Sequence, residues 1–206
     1  MVAAPLLLAK TPPPTIGGLE LNSIAAGIET LDALVKEAPV EPLLAEASSA
    51  GKYLILLGGE VDEVARSLGR AVEAAGETLI DDVLLPSIHN EVGSALTREG
   101  TLTRSGGTSR LDNEADPPAV GVIECYGAPT LLGAADCAAK TGAITIESIH
   151  LLAGIGGKAT CVVSGDVESA RVAVDAAASF ASDRGLLARR VLIPRPDASI
   201  LPFVRR

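Results

Sequence analysis

The chain has few aromatic residues and no long apolar run. Only 2% of its 206 residues are aromatic and none is tryptophan, whereas 48% are hydrophobic. Its cores must therefore be built from alanine, valine, leucine and isoleucine, which provide little surface on which a planar ligand could stack. Every apolar stretch falls well short of the roughly 20 residues that a membrane-spanning helix needs. We therefore expect no membrane partner and a cytoplasmic protein.

Clustered positive charge is also missing. The formal net charge is −9, and no basic run is longer than two residues. Because binding to a polyanion requires clustered lysine and arginine, nucleic acid is excluded as a partner. The three cysteines, Cys125, Cys137 and Cys161, show no CxxC spacing, which is typical of a reduced compartment rather than a disulfide framework. We expect them to be small buried apolar residues.

The sequence contains no pattern typical of catalysis or metal binding. His89 and His150 are the only histidines, and neither has a cysteine or second histidine at ligand spacing. We expect His89 at the surface and His150 half-buried in a strand. No Gly-x-Ser-x-Gly nucleophile motif occurs. Residues 154–158 (GIGGK) lack the first glycine and the last Ser/Thr of a phosphate-binding loop. The sequence predicts no catalytic residue, no metal site and no cofactor.

The chain does contain an internal repeat. Its segments return at offsets of 104, 106 and then 108 residues, which indicates two copies of one fold with small insertions in the second. A period this long is a domain rather than a solenoid repeat of roughly 20–50 residues. The matching segments are 17–20 (GGLE) with 121–124 (GVIE), 51–52 (GK) with 157–158 (GK), and 83–86 (VLLP) with 191–194 (VLIP).

The repeat predicts the domain organisation. Residues 1–14 end in three prolines and form an extended arm, followed by a first domain at 15–96. Residues 97–118 lose apolar periodicity and collect glycine, serine, threonine and charge, which is typical of a linker. The second domain occupies 119–206. Two domains of about 90–100 residues each have the ordinary size for single hydrophobic cores.

Each copy predicts the element order β-α-β-β-α-β, the split βαβ arrangement of ferredoxin-like α+β folds. Residues 15–21 and 119–125 have the length and composition of strands. A helix follows, which Asn22 or Ser23 could cap. Its apolar residues recur at helical spacing and are Ile24, Ile28, Leu31 and Val35.

The second helix of each copy is also amphipathic. In the second copy it is rich in alanine, which allows close packing on a sheet or on a neighbouring subunit. In the first copy the spacing predicts one apolar face formed by Val61, Ala65, Leu68 and Val72.

Several short segments occur in one order in both copies. In the second copy they are residues 120–124 (VGVIE), 134–140 (AADCAAK), 156–158 (GGK), 164–167 (SGDV) and 192–196 (LIPRP); in the first, 18–20 (GLE), 32–36 (DALVK) and 58–61 (GGEV). Their order and spacing resemble the bacterial microcompartment (BMC) domain. Two unpermuted copies in one chain are similar to the tandem-domain trimeric shell proteins of the propanediol-utilisation T type. The resemblance covers everything except the arm and the linker.

The resemblance implies a function. Three chains would form a six-domain pseudohexagonal tile, and tiles would join edge to edge into the shell of an enzyme-filled organelle. The partners would be further copies in a homotrimer, other shell proteins and enclosed enzymes. The loop between the second and third strands would line a central pore, and three basic residues would lie at tile edges. The pore residues would be Ser48, Ser49, Ala50, Gly51, Gly154, Ile155, Gly156 and Gly157; the edge residues would be Lys36, Lys140 and Arg195.

The chain departs from the T-type pattern at two positions. Ser87 replaces the edge arginine in the first copy, so only half of the edges would carry that contact. Ser49 replaces the pore cysteine that holds an iron–sulfur cluster in the T type. Because such clusters are held by thiolates, we predict that this chain binds none and that its pore is lined by hydroxyls and backbone amides.

Three alternatives stay open at this point. The chain could be a soluble regulatory oligomer that binds a small molecule between ferredoxin-like halves. Glu20 and Glu124 could be acid/base groups, although a structural role is favoured. Lys52 and Lys158 could be solvated loop charges, which is favoured, or could make the pore positive.

Overall fold

The computed structural model describes residues 13–97, 118–152 and 156–204. The chain divides into two compact units, with the boundary between Ile88 and His89. Residues 1–12 of the expected arm (1–14) and residues 98–117 of the expected linker (97–118) lie outside the described residues.

The first unit is an antiparallel sheet of four strands with helices. Its strand order is β2-β3-β1-β4. Its elements are β1 (Thr15–Leu21), α1 (Ile24–Glu37), β2 (Glu41–Ser48), a 3₁₀ turn (Ser49–Gly51), β3 (Lys52–Gly59), α2 (Val61–Ala75), a second 3₁₀ turn (Gly76–Thr78) and β4 (Leu79–Pro86).

The second unit repeats this architecture, with strand order β6-β7-β5-β8. The two matching sheets confirm the α+β fold and the two split βαβ copies. The elements are α3 (Asn90–Thr97), β5 (Ala119–Cys125), α4 (Ala128–Thr141), β6 (Thr145–His150), β7 (Ala159–Gly165), α5 (Val167–Asp183), β8 (Leu187–Pro194) and α6 (Leu201–Val204).

The central strands and the helix caps have local causes. All seven residues of β1 are buried, because this strand pairs with β3 on one side and β4 on the other. Ser23 caps α1, its Oγ accepting a hydrogen bond from the Ala26 N–H at 3.3 Å. Asp166 caps α5 by accepting from the N–H groups of Glu168 and Ser169. Capping of this kind satisfies N–H groups that have no partner inside the helix.

Each copy packs an aromatic ring on a glycine of its first helix. A Cβ on Gly27 would lie 2.3 Å from the ring of Tyr53, and a Cβ on Gly133 would lie 2.4 Å from the ring of Phe180. Any side chain at these positions would displace the ring. Two of the four aromatic residues of this chain, Tyr53 and Phe180, therefore pack on the first helices.

The sequence prediction of which side of α2 faces the core is wrong. Val61 is exposed, whereas the buried residues are Val64, Ser67, Leu68, Ala71 and Ala75. The inner face is thus rotated from the predicted one, and only Leu68 is common to both. The exposed charged residues Asp62, Arg66, Arg70 and Glu73 mark the outer face, and the predicted face missed Val64 and Ala71 on the inner one.

Helix α3 packs with the second unit. The expected boundary of the first domain at residue 96 falls inside this helix. The helix contacts α4 and β6, and the Glu91 carboxylate accepts a hydrogen bond from the Ile146 N–H at 3.1 Å. Its residues Val92, Ala95 and Leu96 are buried.

Candidate functional site

The loop between β2 and β3 is short and strained. Ser48 pairs with Lys52 across the hairpin, and Ser49–Gly51 make the turn between them. Ala50 (φ 62°) and Gly51 (φ 77°) both adopt the left-handed conformation. For alanine this conformation costs roughly 1–2 kcal/mol, which pairing of the flanking strands must offset. The four predicted pore residues of the first copy therefore form one tight turn.

The loop between β6 and β7 makes the corresponding turn with glycine. Gly156 and Gly157 have φ values of 72° and 78°. Because glycine has no Cβ, this turn carries no steric penalty. The other two predicted pore residues of this copy, Gly154 and Ile155, lie outside the described residues.

An ion pair lies beside each loop. Lys52, the first residue after the first loop, has its Nζ 3.2 Å from a carboxylate oxygen of Glu20 on β1. Lys158, directly after the second loop, has its Nζ 3.1 Å from Glu124 on β5. The repeat thus places the same pair at the base of both loops. These contacts support the structural role of the two glutamates.

The two ion pairs differ in exposure. The Glu20 and Lys52 side chains are 1% and 15% exposed, whereas those of Glu124 and Lys158 are 29% and 35% exposed. The Lys158 ammonium also lies 5.9 Å from the ring centroid of Tyr126. The expectation that Lys52 is a solvated loop charge is therefore wrong, because it is largely buried against a buried carboxylate. The sequence did not reveal this pairing, although the recurring glutamate and lysine were a signal for it.

The two predicted edge lysines each bind an aspartate one helical turn earlier. Lys36 Nζ lies 2.6 Å from Asp32 Oδ2 on α1, and Lys140 Nζ lies 2.5 Å from Asp136 Oδ2 on α4. The first pair is solvated, since the Asp32 side chain is 63% exposed. In the second, the Asp136 side chain is 6% exposed and its Oδ1 accepts a hydrogen bond from the His89 N–H at 2.8 Å.

The third predicted edge residue, Arg195, is exposed and follows β8 directly. Its φ is 49°, and its N–H donates to the Pro118 carbonyl at 2.7 Å. Ser87, which follows β4, has a similar φ of 56°. The two copies therefore turn in the same way after their last strand, with an arginine side chain at only one of the two turns.

The histidines have the surroundings of structural residues. His150 is half-buried at the end of β6, as predicted. His89 was expected at the surface but is half-buried, because its N–H binds Asp136 and its Nδ1 accepts a hydrogen bond from the Glu91 N–H.

The cysteines are free thiols. Cys125 and Cys161 are buried, as expected, whereas Cys137 is partly exposed. Burial, together with neighbouring Cys125, raises the pKa of the Cys161 thiol to about 12. Burial, with a smaller contribution from Asp136, also raises the pKa of Cys137. Both thiols are therefore protonated and weakly nucleophilic at neutral pH.

The donor set of the first loop does not fit an iron–sulfur cluster. Ser49 occupies the relevant position, and neither predicted pore loop contains a cysteine. Across the described residues, no group of three His, Cys, Asp or Glu side chains could hold a metal ion. In the same part of the chain, no helix is long and apolar enough to span a bilayer.

Comparison with known proteins identifies relatives of both copies. The BMC domain family model matches residues 15–88 and 119–196. The chain is 38% identical to the bacterial microcompartment shell protein PduT of Citrobacter freundii, over 90% of this chain and 94% of the relative. It is also 33% identical to the bacterial microcompartment shell protein EutM of Salmonella typhimurium, over 40% of this chain and 83% of that protein.

A solved structure supports the same assignment. The crystal structure of a microcompartment protein from Desulfitobacterium hafniense DCB superposes with a TM-score of 0.71 at 36% identity, covering 90% of this chain and 97% of that one. These similarities favour a structural shell role over a soluble regulator. With both halves matched separately, and with the strand order repeated in both sheets, the chain belongs to the BMC domain family as a tandem-domain member.

Proposed function

We propose that this chain is a structural protein of a bacterial microcompartment shell in the cytoplasm, with no catalytic activity of its own. Three copies form a homotrimer whose six BMC domains make a pseudohexagonal tile. Tiles join edge to edge with other shell proteins to form a wall around enclosed enzymes.

The repeated loop geometry is the observation that carries this proposal. Both copies present a turn between the same two strands, each containing two consecutive left-handed residues and each followed by a lysine paired with the first strand. Three chains would therefore bring six similar turns around one axis. A heterologous contact whose rotation closes generates such a ring.

The pore acts through its width and its hydrogen-bonding groups. Ser48 and Ser49 supply hydroxyls, and the tight turns supply backbone groups. Hydroxyls and amides can replace part of the hydration shell of a small polar solute, so they favour passage of such metabolites over larger or apolar ones. Because Lys52 and Lys158 are both paired with carboxylates, the loop bases carry little net charge.

The edges act through exposed charge. Lys36 and Arg195 are exposed, and Lys140 is partly exposed, so each can reach a neighbouring tile. Contacts between exposed charges are individually weak. A sheet of tiles then depends on many repeated contacts, which explains why assembly would rise steeply with concentration.

Two measurements test the proposal. Analytical ultracentrifugation of the purified chain should give a species of three times the chain mass at micromolar concentration. Negative-stain electron microscopy of the concentrated protein should show sheets or tubes with a hexagonal repeat. A monomer at every concentration, or a discrete oligomer that never forms sheets, would contradict it.

A further inference from the structure

The first helix of each copy differs in exposure between the two units. On α1 three large apolar residues face solvent, and the most exposed, Ile28, is 57% accessible. Their counterparts on α4 are buried, although the two helices have the same length and position in the repeat. The exposed residues are Ile24, Ile28 and Val35, and their buried counterparts are Ala128, Leu132 and Ala139.

This difference does not extend to the start of the second helix. Val61 and Val167, which begin the second helix of each copy, are each 41% exposed. The two copies therefore have the same surface at that position. On α1 the exposed apolar residues form a stripe at i, i+4 and i+11 on one side of the helix.

Part of the cover on α4 is visible within the second unit. Residues 89–97 lie against this helix, and α3 contacts both α4 and β6. The His89 N–H donates to Asp136 Oδ1, while Oδ2 of the same carboxylate binds Lys140. On α1 the equivalent carboxylate, Asp32, binds Lys36 through Oδ2 and is otherwise turned to solvent.

The segment after β8 shares two local features with the segment that binds Asp136. Arg195 and Ser87 both have a positive φ, at 49° and 56°. Two residues later, the Asp197 carboxylate accepts a hydrogen bond from the Ser199 N–H at 2.9 Å. His89 Nδ1 accepts from the Glu91 N–H in the same i to i+2 relation. Asp197 is exposed in the single chain.

We propose that the exposed face of α1, formed by Ile24, Ile28, Val35 and Asp32, binds a second copy of this chain through that copy's residues 195–199. The Asp197 N–H of the second copy donates to Asp32 Oδ1, as the His89 N–H does to Asp136. The contact is head to tail, so it can be repeated around a ring. This inference rests on the proposed self-assembly and names the surface that produces it.

A matched pair of valine variants tests the surface. Val35 and Val61 are 39% and 41% exposed, so replacing either by glutamate disturbs the monomer to a similar small extent. Under conditions where the unmodified chain is fully trimeric, we expect Val35→Glu to lose the trimer peak in sedimentation velocity. Val61→Glu should keep it. Circular dichroism melts of both variants would show that each remains folded.

A cross-link tests the partner segment. Asp32→Cys combined with Asp197→Cys, in a Cys137→Ala background, should form disulfides between chains on mild oxidation. A non-reducing gel should then show a ladder up to three chains. Each single replacement in the same background should show none, since Cys125 and Cys161 are buried.

The outcomes separate this inference from the proposed function. If the unmodified chain is trimeric but Val35→Glu is also trimeric, the α1 surface is not the interface and the shell role stands. If the double-cysteine variant is trimeric but forms no ladder, residues 195–199 do not bind α1. If the unmodified chain is monomeric at every concentration, both the interface and the shell role fail.

Discussion

The Glu20 carboxylate, 3.2 Å from the Lys52 ammonium, joins the end of the central strand β1 to the first residue after the candidate pore loop. The glutamate side chain is 1% exposed, so its charge needs compensation within the protein, and Lys52 contributes to it. Removing one member of a buried pair leaves an uncompensated charge, which is far more costly than losing a solvated pair.

The exposure difference between the two loop-base pairs predicts unequal mutational effects. Lys52→Met should lower the free energy of unfolding by about 3 kcal/mol, because Glu20 loses its cation in a buried site. Lys158→Met should lower it by at most about 1 kcal/mol, since that pair is partly solvated. Urea denaturation of both variants measures this, and equal losses would show that burial does not separate the two pairs.

The edge lysines should affect sheet formation differently from folding. Lys36→Glu changes a pair that is solvated in the single chain, so we expect sheets to be suppressed in electron microscopy while the chain stays folded. Lys140→Glu should suppress sheets and also lower the melting temperature, because it places a second carboxylate beside the buried Asp136. Sheets that survive both reversals would exclude these lysines from the edge contact.

Because serine occupies position 49, we predict that the chain holds no iron–sulfur cluster. After anaerobic reconstitution with iron and sulfide, the unmodified chain should contain no stoichiometric iron and show no visible charge-transfer band. Ser49→Cys would supply one thiol per chain at the loop and should bind iron if three loops converge on one axis. Ala47→Cys, two residues earlier on β2, is the control that should bind none. Stoichiometric iron in the unmodified chain would contradict the prediction.

We expect replacement of Ala50 by glycine to stabilise the protein. Its φ of 62° is unfavourable for a residue with a Cβ, so Ala50→Gly should raise the free energy of unfolding by about 0.5–1 kcal/mol. Ala47→Gly in the regular strand β2 should lower the free energy of unfolding by a similar amount. Glycine there relieves no strain and only increases the conformational entropy of the unfolded chain. If Ala50→Gly destabilises the protein, the loop is not left-handed at this residue.

Because the Cys161 thiol is buried, we expect the free energy of unfolding to depend on pH in the alkaline range. Its thiol pKa is raised from 9.0 to about 12 in the folded protein, so the unfolded chain loses the proton first as the pH rises. The stabilisation is complete below about pH 9 and is lost as the pH approaches about 12. Cys161→Ala should show a shallower decline of stability over this range. Identical slopes would mean that the thiol is not buried as described.

The sequence by itself determined the repeat, the strands and the family. β1 and β5 begin and end at the residues that their composition predicted. The predicted cap Ser23 precedes α1. These features depend on neighbouring residues, because strand composition and capping are decided within one turn or one extended segment.

Only the tertiary structure decided the docking of α3 and the partners of Glu20 and Asp136. Glu20 and Lys52 are 32 residues apart, and His89 and Asp136 are 47 apart. No local pattern connects such residues. The same holds for the pairs Asp32–Lys36 and Asp136–Lys140, which have the same spacing in the sequence. The Asp32 side chain is 63% exposed and that of Asp136 is 6% exposed, because exposure depends on what packs against the helix.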